Sequence, residues 1–186
     1  MVFLRGKVLV IGDTCVGKSS LCQVLSSDGG IYPKNYSSTI MTELIIKQVQ
    51  LTENNDTVEL FLYDSSGKAI YFENCKETWL NADMIVLVFD LSNKESFGHV
   101  KFWYEKAKET FLYDKPIIGC VIGNKSDLSS VVNQANIKQM SDSMNMKYFE
   151  CSAKENQNVM DPFKYLASEY VKKYNENIKK FKQIIE

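Results

Sequence analysis

Short apolar runs alternate along this chain with stretches in which apolar residues return every three or four positions. Residues 8–11 are apolar throughout and read as a buried strand running into a glycine-rich turn, with a helix over 19–25. Residues 41–51 and 57–63 read as two strands joined by the polar stretch 52–56, the one place where antiparallel pairing is expected. Residues 84–89 form a continuous apolar run, the mark of a central strand covered on both faces. A helix is predicted over 94–112, with Phe97, Val100, Trp103, Tyr104 and Ala107 on one stripe. A strand at 116–122, a helix near 134–144, a short strand at 147–151 and a long final helix over 158–186 complete the order. Strands regularly separated by helices predict an α/β fold, a mostly parallel sheet covered by helices. No repeat, low-complexity tract or Pro/Gly linker divides the chain, so residues 1–186 read as a single domain.

Composition narrows the function classes. The 186 residues are 45% apolar and 24% charged, enough to bury a core of ordinary size. Lys and Arg number 22 against 23 Asp and Glu, so the net charge of −1 offers no basic excess for nucleic acid or an anionic membrane. Lysines do gather near the end, but Glu169, Glu176 and Glu186 dilute them into a solvated helix face. The five cysteines are odd in number and lack C-x-x-C spacing, which points to reduced thiols in a cytosolic compartment rather than zinc or disulfides. His99 is the one histidine; histidine-based triads and His-rich metal sites are thereby removed, and His99 reads as structural or exposed. The apolar run 84–89 is too short to cross a bilayer, residues 1–6 lack a signal-peptide core, and no cysteine follows Cys151 to carry a prenyl group.

Chemistry enters at residues 12–19. Gly12, Asp13, Thr14, Cys15, Val16, Gly17, Lys18 and Ser19 fit G-x-x-x-x-G-K-[ST], between a predicted strand and a predicted helix that continues through Ser20. Such a turn aims successive backbone N–H groups at phosphate, Lys18 can reach the β- and γ-phosphates, and the Ser19 hydroxyl can ligate magnesium. The helix that starts here turns its positive end toward the same anion.

The base is chosen elsewhere. Asn124, Lys125 and Asp127 follow a predicted strand, at the sheet edge where ligands bind in open α/β folds. A carboxylate at Asp127 accepts two parallel hydrogen bonds, and guanine offers two adjacent donors, N1–H and the exocyclic amine. Adenine presents an acceptor there, and a mismatched buried polar pair costs on the order of 1–3 kcal/mol. Asn124 can hold the loop, and the stem of Lys125 can lie against the ring. Ser152, Ala153 and Lys154 follow the next strand; the Ala153 N–H can donate to guanine O6, although the triplet alone reads as a helix N-cap at Ser152. Asp64 can hold magnesium through water, and Gly67, three residues on, can bring its N–H to the γ-phosphate.

These four motifs, in this order and spacing, resemble the Ras superfamily of small GTPases over roughly residues 5–175. The resemblance implies a P-loop NTPase fold: a six-stranded, mostly parallel sheet with one antiparallel strand and five flanking helices. It implies GTP or GDP with magnesium as the ligands, a first switch at 30–41 and a second at 64–79. Thr39, near Tyr36, matches the threonine that ligates magnesium beside Ser19 and Asp64; Tyr32 matches the aromatic packed edge-on against guanine. Thr39, Gly67 and Lys68 occupy the positions that bear on hydrolysis.

Three positions depart from the family pattern. Lys68 stands where most active relatives carry glutamine, and an ammonium has no acceptor with which to orient an attacking water. Thr14 replaces a common glycine close to the γ-phosphate, and after Thr39 come Ile40 and Met41, where many membrane-traffic relatives carry a glycine. Slow hydrolysis is the expectation. The residues 27–29, 58–61 and 64–68, with the missing prenyl cysteine, resemble the Rab-like intraflagellar transport protein 27 subfamily. That resemblance implies a heterodimer with intraflagellar transport protein 25, membership of transport complex B, and location in the cytoplasm, cilium or flagellum and basal body. A non-hydrolysing structural subunit and a membrane-traffic Rab are the alternative readings. In the final helix Val159, Phe163, Leu166, Tyr170, Tyr174, Ile178, Phe181 and Ile185 keep one apolar stripe, whose distal part should overshoot the domain and offer a partner surface.

Overall fold

The computed structural model describes residues 1–33, 35, 37–52, 55–111 and 117–185. Of the expected features, Tyr36, two residues of the hairpin loop (Glu53 and Asn54), the helix end at Leu112, the strand start at Pro116 and the last residue, Glu186, lie outside them.

The elements follow in the order β1 (Phe3–Ile11), α1 (Lys18–Ser26), β2 (Thr42–Leu51), β3 (Asp56–Ser65), a 3₁₀ turn (Ala69–Tyr71), α2 (Phe72–Trp79), β4 (Met84–Asp90), α3 (Lys94–Gly98), α4 (Val100–Lys108), β5 (Ile118–Asn124), α5 (Gln134–Ser143), β6 (Lys147–Glu150) and α6 (Asp161–Ile185). The sheet order is β2-β3-β1-β4-β5-β6. Only β2 and β3 pair antiparallel; the other four pairings are parallel.

Alternation across the central strands builds two cores. Val8 and Val10 of β1 and Met84, Val86 and Val88 of β4 face α1 and α6, where they meet Leu21, Leu25, Phe163 and Leu166. Their neighbours Leu9, Ile11, Ile85, Leu87 and Phe89 point the other way, onto Trp79 of α2, Trp103 of α4 and Ile137 of α5. All seven residues of β4 are buried, which is why its sequence is unbroken by polar residues before Asp90.

Several boundaries differ from expectation. The predicted helix 94–112 is two segments, α3 and α4, joined at His99, and together they form one of the five flanking helices. Gly98 weakens helical preference at the joint, yet His99 N–H still reaches Glu95 O and Trp103 N–H still reaches His99 O, so helical hydrogen bonds run on through it. Asp64 and Asn124 are the last or next-to-last residues of β3 and β5 rather than loop residues. Their ladders continue, with Val10 opposite Asp64 and Asp90 opposite Asn124. Helix α6 begins at Asp161, three residues later than predicted. Among the described residues no helix is long and apolar enough to cross a membrane.

Candidate functional site

Strands β1, β3, β4 and β5 all end at one edge of the sheet, and the loops that leave them enclose a cavity of about 520 Å³. Thr14, Cys15, Gly17, Lys18, Ser19, Ser20, Tyr32, Thr39, Gly67, Asn124, Lys125, Asp127, Ala153 and Lys154 line it. Gly12, Asp13, Val16, Asp64, Ser152 and Lys68 do not, and each has a different position to explain.

The turn after β1 folds back over its own lysine. Lys18 Nζ donates to Gly12 O at 2.9 Å and Asp13 O at 2.7 Å, so Gly12 and Asp13 serve through their carbonyls. Lys18 as a whole is only 6% exposed. Burial pulls its pKa down to about 8 against the opposing charges of Asp64 and Asp13. Gly17 enters α1 at φ 95°, and a Cβ there would strike the Asn124 amide. Gly67 crosses so close to Asp13 and Thr14 that any Cβ would collide with their backbone. The second-switch glycine is thus packed directly on the turn that Lys18 closes.

At the base end, Asn124 joins two loops. Its Nδ2 donates to Val16 O at 2.8 Å, and its Oδ1 accepts from Ala153 N–H at 3.1 Å. The Ala153 N–H expected to serve guanine O6 is therefore spent on Asn124 here. Asp127 Oδ1 accepts from the Ser152 hydroxyl at 2.6 Å, and Lys154 Nζ stands 3.7 Å from Oδ2. Ser152, 0% exposed, acts by orienting the carboxylate, and it also accepts from Glu155 N–H in the N-cap manner. Lys125 lines the cavity with its ammonium tied to Asp90 Oδ2 at 2.6 Å, which fixes its stem along the wall.

At the phosphate end, the Ser19 and Thr39 hydroxyls lie 3.1 Å apart. Beside them Asp64 is 0% exposed, and neither of its carboxyl oxygens receives a hydrogen bond of proper geometry. Burial pushes its pKa up, and the nearby Ser19 hydroxyl, the Lys18 ammonium and the Thr39 hydroxyl pull it partly back. An orphaned buried carboxylate beside two hydroxyls is an all-oxygen donor set, the kind a hard dication such as magnesium takes, so the residues fit the metal the sequence implied.

The sequence model of the Ras family matches residues 7–172. The chain belongs to the Ras family. This is a family of GTPases that bind GTP or GDP, typically with magnesium. The chain is also 35% identical to an intraflagellar transport protein 27 homolog of Bos taurus, over the full length of both. It is 34% identical to that of Homo sapiens over 99% of this chain and 100% of the relative. The intraflagellar transport protein 27 of Chlamydomonas reinhardtii is 31% identical over 96% of this chain and 90% of the relative.

Some residues of this Ras-family site have no motif to announce them. Gln23, Pro33, Glu43 and Leu128 line the cavity. Lys68 instead is exposed outside the lining, its ammonium 6.0 Å from the Tyr71 ring centre. The Asp13 side chain turns away from the cavity to α4, where Trp103 Nε1 donates to Oδ1 at 2.6 Å and His99 Nδ1 lies 2.7 Å from Oδ2. His99, read from sequence as structural or exposed, is half exposed and also anchors the phosphate turn. The only hint in the sequence was its position four residues before Trp103, on one helical face.

The hydrogen bond and the charge of Asp13 raise the pKa of His99 above its ordinary value. A raised folded pKa means the clamp's contribution is complete below the ordinary histidine pKa and is lost as pH climbs through the raised one. The melting-temperature gap between the wild type and His99→Gln is therefore expected to be wider at pH 6 than at pH 8.5. An equal gap at both would show that the imidazolium does not contribute.

Proposed function

We propose that this protein is a Rab-like, nucleotide-holding subunit of intraflagellar transport complex B that turns GTP over slowly in the cytoplasm and the cilium or flagellum. The observation that carries the nucleotide reading is convergence: the buried Lys18 and the Asp127 carboxylate line one cavity, and the unpartnered buried carboxylate of Asp64 lies beside its Ser19 and Thr39. Ser19, Thr39 and Asp64 would hold magnesium, which when bound neutralises charge on the phosphate oxygens. Asp127 reads guanine, and Lys18 supports the phosphates. The transport role rests on 31–35% identity with intraflagellar transport protein 27 homologs over nearly the whole chain.

Two departures favour slow turnover. Lys68 supplies no acceptor for an attacking water and lies outside the cavity, and Thr14 adds a side chain to the cavity lining where many relatives have glycine. Single-turnover hydrolysis by the purified chain is expected at or below about 10⁻⁴ per second, under the intrinsic rate of active relatives. A rate equal to or above theirs would reject slow turnover. A second reading, in which bound nucleotide only stabilises a structural subunit, draws on the same two departures. Equal partner affinity in the GDP and GTP-analogue states would favour it.

Helix α6 supports a partner surface at its far end. Phe163, Leu166, Ala167 and Val171 are buried against the sheet, but Ile178, Phe181 and Ile184 are 38%, 65% and 79% exposed. The subfamily resemblance implies intraflagellar transport protein 25 as the partner. Truncation after Tyr174 is expected to weaken co-purification with that protein at least tenfold while leaving GDP affinity within twofold. Undiminished co-purification would remove this face from the interface.

A further inference from the structure

Glu43 is an acidic residue that the motifs do not mention, yet it lines the nucleotide cavity. It stands directly opposite Asp64 in the antiparallel β2–β3 pair. Residues directly opposite across such a pair project from the same face of the sheet, and like charges there are destabilising. The face is the one covered by α1, because Ile45 and Val49, which alternate in phase with Glu43 along β2, pack into the core that holds Leu21, Cys22 and Leu25 of that helix. No hydrogen bond or ion pair from a described residue compensates Glu43. The nearest buried cation, Lys18, is occupied by Gly12 O and Asp13 O. Asp64, 0% exposed, has neither oxygen partnered. Glu43 and the residues Ser19 and Thr39 line the cavity beside the buried, unpartnered Asp64, and of the other lysines in the lining Lys125 is tied to Asp90 and Lys154 lies against Asp127 and Glu155.

We propose that Glu43 is an outer carboxylate of the divalent-cation site, acting through metal-bound water to retain the cation and repelling phosphate when the cation is absent. This rests on the nucleotide and magnesium reading above and adds a residue to it. Glu43 is exposed, whereas Asp64 is buried, so the two differ in role. Asp64 is enclosed, and Glu43, its neighbour across the ladder, is open to the cavity. Magnesium dehydrates reluctantly and keeps several waters, which gives an exposed carboxylate something to hold. The carboxylate's effect must also change sign with the cation. With magnesium bound it attracts; without it, it adds to the negative charge facing the phosphates.

That change of sign is the test. Release of a fluorescent GDP analogue from the full chain is followed against free magnesium, and again in excess EDTA, for wild type, Glu43→Gln and Glu43→Asp. In Glu43→Gln the magnesium concentration for half-maximal retention is expected to rise about three- to tenfold, the scale of one charge acting on a dication through water. In EDTA the same variant is expected to release nucleotide more slowly than wild type. Glu43→Asp should keep most of the wild-type magnesium dependence. A Glu43→Gln protein that shifts neither quantity, or loses nucleotide faster in both conditions, overturns the role of Glu43; the latter pattern is that of a structural residue. If wild type itself retains the analogue equally with and without magnesium, the magnesium reading falls and the role of Glu43 falls with it.

Discussion

Asp127→Asn is expected to lower affinity for GDP and GTP at least a hundredfold and to raise affinity for xanthosine diphosphate. The carboxylate matches two adjacent donors on guanine, N1–H and the exocyclic amine. An amide keeps one acceptor and turns a donor toward the amine, so a favourable charge-assisted bond becomes a donor facing a donor. A loss of 1–3 kcal/mol for each mispaired buried group, at about 1.4 kcal/mol per decade, sets the expected scale. Xanthine carries a carbonyl where guanine carries that amine, and the amide then matches it. The loop itself should survive, since the Ser152 hydroxyl, now 2.6 Å from Asp127 Oδ1, can donate equally to an amide oxygen. Competition binding with the two diphosphates measures both changes. Unchanged GDP affinity would mean that Asp127 does not read the base.

Lys18→Met should separate binding from folding. Nucleotide affinity is expected to fall at least a hundredfold, because the cation aimed at the phosphates is gone. The nucleotide-free protein is expected to be as stable as wild type or more so. Its ammonium is buried among the backbone carbonyls of Gly12 and Asp13, and burial draws the pKa from 10.5 to about 8, a folding penalty on the order of 3 kcal/mol. Replacing a buried charge with an apolar side chain of similar length removes that penalty.

The pH dependence follows with a definite sign. Between about 8 and 10.5 the unfolded chain binds more protons at this group than the folded chain does. Nucleotide-free stability therefore rises with pH across that window in the wild type, and this contribution is absent from the Met variant. Nucleotide affinity moves the opposite way, since phosphate needs the charged form. Calorimetric melting and GDP titration at pH 7.5 and 9.5 check both. A Met variant several degrees less stable than wild type without nucleotide would refute the account.

Much of this site was legible before any fold was known. Gly12 to Ser19, Asn124 to Asp127 and Asp64 with Gly67 each lie within eight residues, short enough for local backbone geometry to place them, and each follows a recognisable strand. The structure brings all three to one cavity. Strands β3 and β5 showed their cores but not their ends, because ladder hydrogen bonds extend a strand through polar residues such as Asp64 and Asn124 that no apolar pattern marks. The break at His99 was also hidden, since the apolar stripe continues past Gly98 on both segments.

The sequence by itself determined the α/β class, the glycine-rich turn before the first helix, the order of the motifs and the apolar stripe of the last helix. Each depends on periodicity or spacing between near neighbours, which the chain carries directly. Only the tertiary structure decided that Asp13 is held by residues 86 and 90 positions away, that Glu43 stands opposite Asp64, and that Lys68 lies outside the cavity. Those outcomes depend on strand register, on the seating of a helix against the sheet and on the direction of one side chain. Packing among distant segments settles all three, and no local pattern encodes them.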